Sequence, residues 1–115
     1  EDAQGKIFVE VKGVTLEEDG EVRFPDAPTE RGVKHLRGLQ RAVEQGHRAA
    51  DFFVIQMKGP TRFRPNDATH PAFGAALREA AGNGVDVYAY DCLVTPDGLT
   101  LDAPVPADLS PWGER

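Results

Sequence analysis

The ten residues from Arg48 to Met57 (Arg-Ala-Ala-Asp-Phe-Phe-Val-Ile-Gln-Met) constrain the fold more than any other stretch of the chain. An apolar run without alternation marks a strand covered on both faces, the usual state of a strand inside a parallel sheet. Helical periodicity lies on either side of it. Before it, Val33, Leu36, Leu39 and Val43 recur at helical spacing between Glu30 and Gln45, with Thr29 placed to cap the start and Gly46 to stop the end. After it, Phe73, Ala76, Leu77 and Ala80 repeat from Pro71 to Ala81, with Asp67 or Thr69 as the expected cap and Gly82-Asn83-Gly84 as the close. Lys6–Lys12 and Val85–Val94 read as two more strands, and Glu21–Phe24 and Leu99–Leu101 as short returning strands after turns. Strand, helix, buried strand, helix, strand is an α/β order with a partly parallel sheet. Lys58–Asn66, with Gly59, Pro60 and Pro65, reads as a loop. Residues 104–115, with Pro104, Pro106 and Pro111, read as an extended tail whose Trp112 docks on the body or stays loose.

Bulk properties narrow the function classes. At 115 residues the chain is one domain, large enough for a single core. No apolar run approaches the ~20 residues of a membrane helix, and no signal-peptide pattern precedes the first strand, so a cytoplasmic protein without membrane contact is expected. The single cysteine, Cys92, excludes an internal disulfide and a cysteine-rich zinc site, and its place in a strand suits a buried, inert thiol. The three histidines show no zinc spacing; His47 and His70 fall at element ends, where surface or capping roles are expected. A net charge of −6 argues against nonspecific nucleic-acid glue, but between Arg31 and Arg64 eight basic residues face only Glu44 and Asp51. Such a block suits a positive face for phosphates, or ordinary surface pairing.

The first strand carries the chemistry. Alternation puts Lys6, Phe8, Glu10 and Lys12 on one side and Ile7, Val9 and Val11 on the other. A carboxylate and an ammonium two residues apart are either a wet edge or a site in which Glu10 holds a divalent cation and Lys12 steadies water or phosphate. Companions follow: Thr15 just past the strand, Asp26 in the proline-stiffened loop Phe24–Thr29, and Arg31, Lys34 and His35 opening the next helix on neighbouring faces. Gly32, costly in a first helical turn, implies close packing there. Asp51, within the apolar strand, needs a partner if buried; Arg48 is a candidate, and a structural role is the expected one.

Phe8-Val-Glu-Val-Lys-Gly-Val-Thr-Leu16 together with Phe24-Pro-Asp-Ala-Pro-Thr-Glu-Arg-Gly-Val-Lys-His-Leu36 resembles the sugar fermentation stimulation protein (SfsA) family. Gly46-His-Arg-Ala-Ala, Arg62-Phe-Arg-Pro and Gly84-Val-Asp-Val-Tyr-Ala-Tyr90 fit its pattern as well. The resemblance implies an OB-type barrel followed by a PD-(D/E)xK, restriction-endonuclease-like domain: a mixed sheet flanked by helices, here incomplete at its N-terminus. Residues 1–103 would be the nuclease-like domain and 104–115 the tail. Glu10-Val11-Lys12 matches the (D/E)xK half of the motif, whereas the partner Asp on a preceding strand has no counterpart, Asp2 being too near in the same segment. A chain that opens on Glu1 therefore reads as a fragment, inactive alone.

For the complete site, the resemblance implies divalent-metal phosphodiester hydrolysis on DNA. Mg²⁺ or Mn²⁺ would be held by Glu10, with Asp26 as a second carboxylate and the Val11 carbonyl as a further oxygen. Lys12 would orient the attacking water, and Thr15, Arg31, Lys34 and His35 would face phosphate, Arg31 binding two oxygens at once. His35 could instead bond Asp26 or simply pack, and Asp26 could be a turn residue. The alternative function is a noncatalytic DNA-binding regulator of sugar-utilisation genes. Loss of a neighbouring segment would expose a sheet edge, so homo-oligomerisation through that edge is a further expectation.

Overall fold

The structure, a computed structural model, describes residues 6–111. Strands β1 (Ile7–Val14), β2 (Leu16–Glu18) and β3 (Glu21–Phe24) lead into helix α1 (Glu30–Glu44). Then come β4 (Arg48–Ile55), β5 (Arg62–Pro65), α2 (Pro71–Gly82), β6 (Asp86–Thr95) and β7 (Gly98–Pro104). One sheet has the order β1-β4-β6-β7, parallel through β6 and antiparallel at β7. A smaller sheet, β2-β3-β5, pairs β3 antiparallel with β2 and parallel with β5. The expected mixed α/β class, a mixed sheet flanked by helices, is what the chain forms.

The helices follow their apolar stripes. α1 buries Val33, Leu36, Leu39 and Ala42, and α2 buries Phe73, Leu77 and Ala80. Both stripes join Val14, Ala49, Phe53, Ile55, Phe63 and Ala89 in one core. Thr29 caps α1 as expected, its hydroxyl accepting from the Gly32 amide at 3.0 Å. Gly32 packs closely there: a Cβ would stand 3.0 Å from Thr29 Cγ2 and 3.1 Å from the Phe73 ring.

Several boundaries differ from the sequence reading, each for a physical reason. The stretch expected to be a loop after Lys58 contains β5: Phe63 is fully buried, and Arg62–Pro65 runs parallel to β3. Its short length and the prolines around it hid the strand. α2 is entered from His70, whose side chain makes no capping bond, rather than from Asp67 or Thr69. Asp67 is instead bound by Arg78, and the Thr69 hydroxyl accepts from Asn66. The tail is docked, not loose. Val105 is buried, the Phe63 amide donates to Pro106 O at 2.8 Å, and the Asp108 amide donates to Phe63 O at 2.8 Å. Trp112 and Asp2 lie outside the described residues.

Arginines and one carboxylate hold the small sheet together. Glu21 accepts from Arg23 and Arg62 at 2.7 Å each, with Arg64 3.8 Å away. Burial opposes ionisation of Glu21, but the two guanidinium hydrogen bonds outweigh it and keep the carboxyl below its usual range.

The central apolar run is covered on one side rather than two. Ala49, Asp51, Phe53 and Ile55 of β4 face the helices and are buried, whereas Phe52 and Val54 on the other side are half-exposed. There Phe52 stacks on Tyr90, with ring centroids 5.3 Å apart. Ile7, Val9 and Val11 of β1 share that open side at 62%, 53% and 60% exposure. The charged side of β1, read from sequence as the candidate for water, is the one that packs under α1.

Candidate functional site

Parallel pairing of β1 with β4 sets Glu10 opposite Asp51 and Lys12 opposite Phe53. Because side chains alternate, Glu10, Lys12 and Asp51 all project to the helix side of the sheet. The first turn of α1 closes over them. That turn is fixed from two directions: the Thr29 amide donates to His70 Nδ1 at 3.0 Å, and Asn66 Nδ2 donates to Pro25 O at 2.9 Å. The proline loop, the end of β5 and the start of α2 thus hold the start of α1 against the middle of β1.

The resulting pocket, about 340 Å³, is lined by Glu10, Lys12, Gly13, Phe24, Thr29, Arg31, Gly32 and His35. Lys12 is 8% exposed and donates to Asp51 Oδ1 at 3.2 Å; its Nζ is 4.0 Å from Glu10 Oε2. His35 Nδ1 lies 3.2 Å from the same Glu10 oxygen, within ion-pair reach if the imidazole is protonated. Asp51 is fully buried, and its Oδ2 has no hydrogen-bond partner among the described residues. Burial drives its carboxyl up to about 6, with the Lys12 ammonium pulling the other way and the Glu10 charge adding to the rise. A lysine held between two carboxylates, beside an imidazole and a guanidinium, can present a fixed positive charge to an anion entering the pocket.

Of the residues singled out from sequence, the fold brings together Glu10, Lys12, Arg31 and His35. Lys34 is exposed and lines the neighbouring groove with Glu30, Val33, Arg37, His70 and Ala72. Thr15 is exposed between β1 and β2, and Asp26 is exposed in the bend after the cis Phe24–Pro25 bond; neither lines the pocket. His35 faces Glu10 and not Asp26. His47 and His70 serve as acceptors at element ends, for the Lys6 and Thr29 amides respectively. Cys92 is buried, and burial, with the nearby Asp91 charge, pushes its thiol up.

Asp51 is the residue the sequence reading misplaced. Its buried partner is Lys12, across the sheet, and not Arg48, which is exposed three residues earlier on the same strand. The signal was partial: a lone carboxylate in an apolar strand needs a cation, but which strand lies beside it and which face is buried are set only by the β1–β4 pairing.

A mixed α/β domain with an acid–lysine–acid cluster beneath a helix start defines the class of protein. Comparison with known proteins gives the family. The family model "Sugar fermentation stimulation protein RE domain" matches residues 1–98. The chain is similar to the sugar fermentation stimulation protein homolog of Clostridium beijerinckii, 56% identical over 84% of this chain and 42% of that protein. It is likewise similar to the Desulfitobacterium hafniense (strain Y51) homolog, 60% identical over 86% of this chain and 43% of that protein. Its fold matches the structure of Pyrococcus furiosus SfsA in complex with Ca²⁺, with a TM-score of 0.82 and 27% identity, over 89% of this chain and 45% of that one. The chain belongs to the sugar fermentation stimulation protein family. It spans less than half the length of these relatives. Among the described residues, no helix is long and apolar enough to cross a membrane.

Proposed function

We propose that this chain carries the glutamate–lysine half of a phosphodiester-cleaving site that acts on DNA with Mg²⁺ or Mn²⁺. The observation that supports it best is the Lys12 ammonium, buried and aimed by Asp51, beside Glu10, His35 and Arg31 in one open pocket. Lys12 would stabilise negative charge growing on a phosphoryl oxygen, and Arg31 would hold the phosphate at the pocket wall.

The donor set fits a hard divalent cation in part. Glu10 offers partly exposed carboxylate oxygens, and Asp51 Oδ2 is a second carboxylate oxygen without a partner. Among the described residues, no group of three or more His, Cys, Asp or Glu side chains is placed to hold a metal ion. Glu10 would therefore be the chain's principal ligand, with the Val11 carbonyl; Asp26 lines no wall of the pocket and carries less of the proposal. Bound there, such a cation would offset phosphate charge and acidify water. The Ca²⁺ named with the P. furiosus protein is a hard, oxygen-seeking ion of the same class.

The second reading is a noncatalytic DNA-binding regulator of sugar-utilisation genes in the cytoplasm. The incomplete ligand set favours it. The test is incubation of plasmid and single-stranded DNA with this chain, and with a chain of the relatives' full length, in Mn²⁺, Mg²⁺ or EDTA. Cleavage by the longer chain that needs the metal and is lost on Lys12→Ala and Glu10→Ala supports the first reading. Salt-sensitive binding without cleavage in any metal assigns the second.

Self-association belongs to the same proposal. β1 is an edge of its sheet among the described residues, and its outer side chains Ile7, Val9 and Val11 are exposed. An apolar, unpaired edge is a template for a second copy.

A further inference from the structure

The cations of α1 divide into two sets. Arg31 turns to the Glu10–Lys12 pocket, whereas Lys34, Arg37 and Arg41 point outward. At 3.6 residues per turn these three fall within an arc of roughly 60°. All three are exposed, and among the described residues none forms an ion pair or a side-chain hydrogen bond. Arg23, Arg62, Arg64 and Arg78, by contrast, each lie against a carboxylate. Like charges three and four residues apart repel one another along a helix, a cost that Glu30 and Glu44 at the ends of the row offset only in part.

The three residues also line consecutive concavities. Beyond the Glu10–Lys12 pocket lies a groove between α1 and the start of α2, of about 350 Å³, lined by Lys34, Arg37 and His70. A second, of about 210 Å³, follows along the same helices, lined by Arg37, Gln40 and Arg41. Glu30 lies in the first groove and Glu44 and Glu79 in the second, so the track is cationic in its middle and closed by carboxylates at its ends. From Arg31 to Arg41 the helix rises ~15 Å, the axial rise of about four nucleotides in one strand.

We infer that the outward face of α1 is the track along which DNA backbone leaves the pocket, with Lys34, Arg37 and Arg41 on successive phosphates. This rests on the reading of the pocket as a phosphodiester site. The track selects a polymer over a small phosphodiester, because its cations lie outside the pocket itself.

The experiment is fluorescence anisotropy of this chain with fluorescein-labelled 20-mer DNA, duplex and single-stranded, between 50 and 200 mM NaCl without added metal. The variants are the triple Lys34→Gln/Arg37→Gln/Arg41→Gln and the double Arg37→Gln/Arg41→Gln, with Lys6→Gln/Arg48→Gln as a control that removes the same net charge as the double. Three lost phosphate contacts lower the salt slope by about 2.7 on duplex and about 2 on single strands. Affinity at 100 mM salt is expected to fall at least ~10-fold, with the thermal transition not lowered, because the three side chains make no ion pair or side-chain hydrogen bond among the described residues. A triple variant with wild-type slope and affinity overturns the track but leaves the pocket reading standing. A control variant that loses as much as the double variant overturns it too, since net charge alone would then explain the loss. Wild-type chain that binds neither DNA overturns the nucleic-acid reading itself.

Discussion

Lys12 Nζ lies 3.2 Å from Asp51 Oδ1, with both side chains out of water although they stand 39 positions apart in sequence. The pair joins two parallel strands on the side facing α1, and it fixes the direction of the buried ammonium in the pocket. Breaking a buried pair by removing one partner is expected to cost more than the pair itself contributes, because the survivor is left uncompensated.

Lys12→Ala is expected to leave Asp51 without its cation. Asp51 then takes up a proton at neutral pH, and that uptake spares the fold much of the cost of a bare buried charge. The fold survives with a loss of about 2 kcal/mol or more; under the proposed function, metal-dependent DNA cleavage by a chain of the relatives' full length would fall at least ~100-fold. Urea unfolding beside a cleavage assay checks both. A variant that cleaves at the wild-type rate removes Lys12 from the chemistry.

The pH dependence of stability carries a defined sign. Asp51 has a folded pKa raised from 3.8 to about 6, so the native state holds this proton more tightly than the unfolded chain. Its contribution is therefore fully present below pH 3.8 and lost as pH rises through about 6. Asp51→Asn abolishes that dependence. The stability difference, wild type minus variant, should fall between pH 4 and pH 7 by an amount on the order of 3 kcal/mol, read from urea curves. A difference that stays flat across that range contradicts a raised Asp51.

Glu21 works with the opposite sign. Its carboxyl is held below its usual range once the Arg23 and Arg62 hydrogen bonds overcome burial, so its contribution is present at neutral pH and lost as pH falls through its folded value. Glu21→Gln leaves Arg23 and Arg62 without a shared anion across β3 and β5, though Glu18 and Asp108 still pair with them, and should cost about 1–2 kcal/mol at pH 7 and less in acid. Thermal unfolding at the two pH values checks this.

Val9→Lys and Val11→Lys place charges on the open side of the edge strand, where both valines are more than half exposed. Each is expected to leave unfolding within about 0.5 kcal/mol of wild type and to weaken self-association. Sedimentation equilibrium is the measure; a wild-type chain that stays monomeric at high concentration removes the edge as a contact.

Much of the fold and half of the site were legible in the residues themselves. Apolar spacing marked α1 and α2, the run Arg48–Met57 marked β4, Thr29 marked a cap, and Gly32 marked the close approach of the Phe73 ring. These are local signals, set by 3.6-residue periodicity, turn chemistry and the conformational cost of glycine. β5 was not legible, because four residues among prolines carry too little pattern and gain their strand from Phe63 and from pairing with β3.

The chain's own order of residues thus determined its helices, its central strand and the presence of Glu10 and Lys12 side by side on β1. Only the tertiary structure decided which side of that strand is buried, because alternation names two faces without saying which one a helix will cover. Register decided the rest. Pairing Glu10 with Asp51 across 41 residues brought Lys12 its partner, and no local pattern encodes a contact that exists only once two distant strands lie side by side.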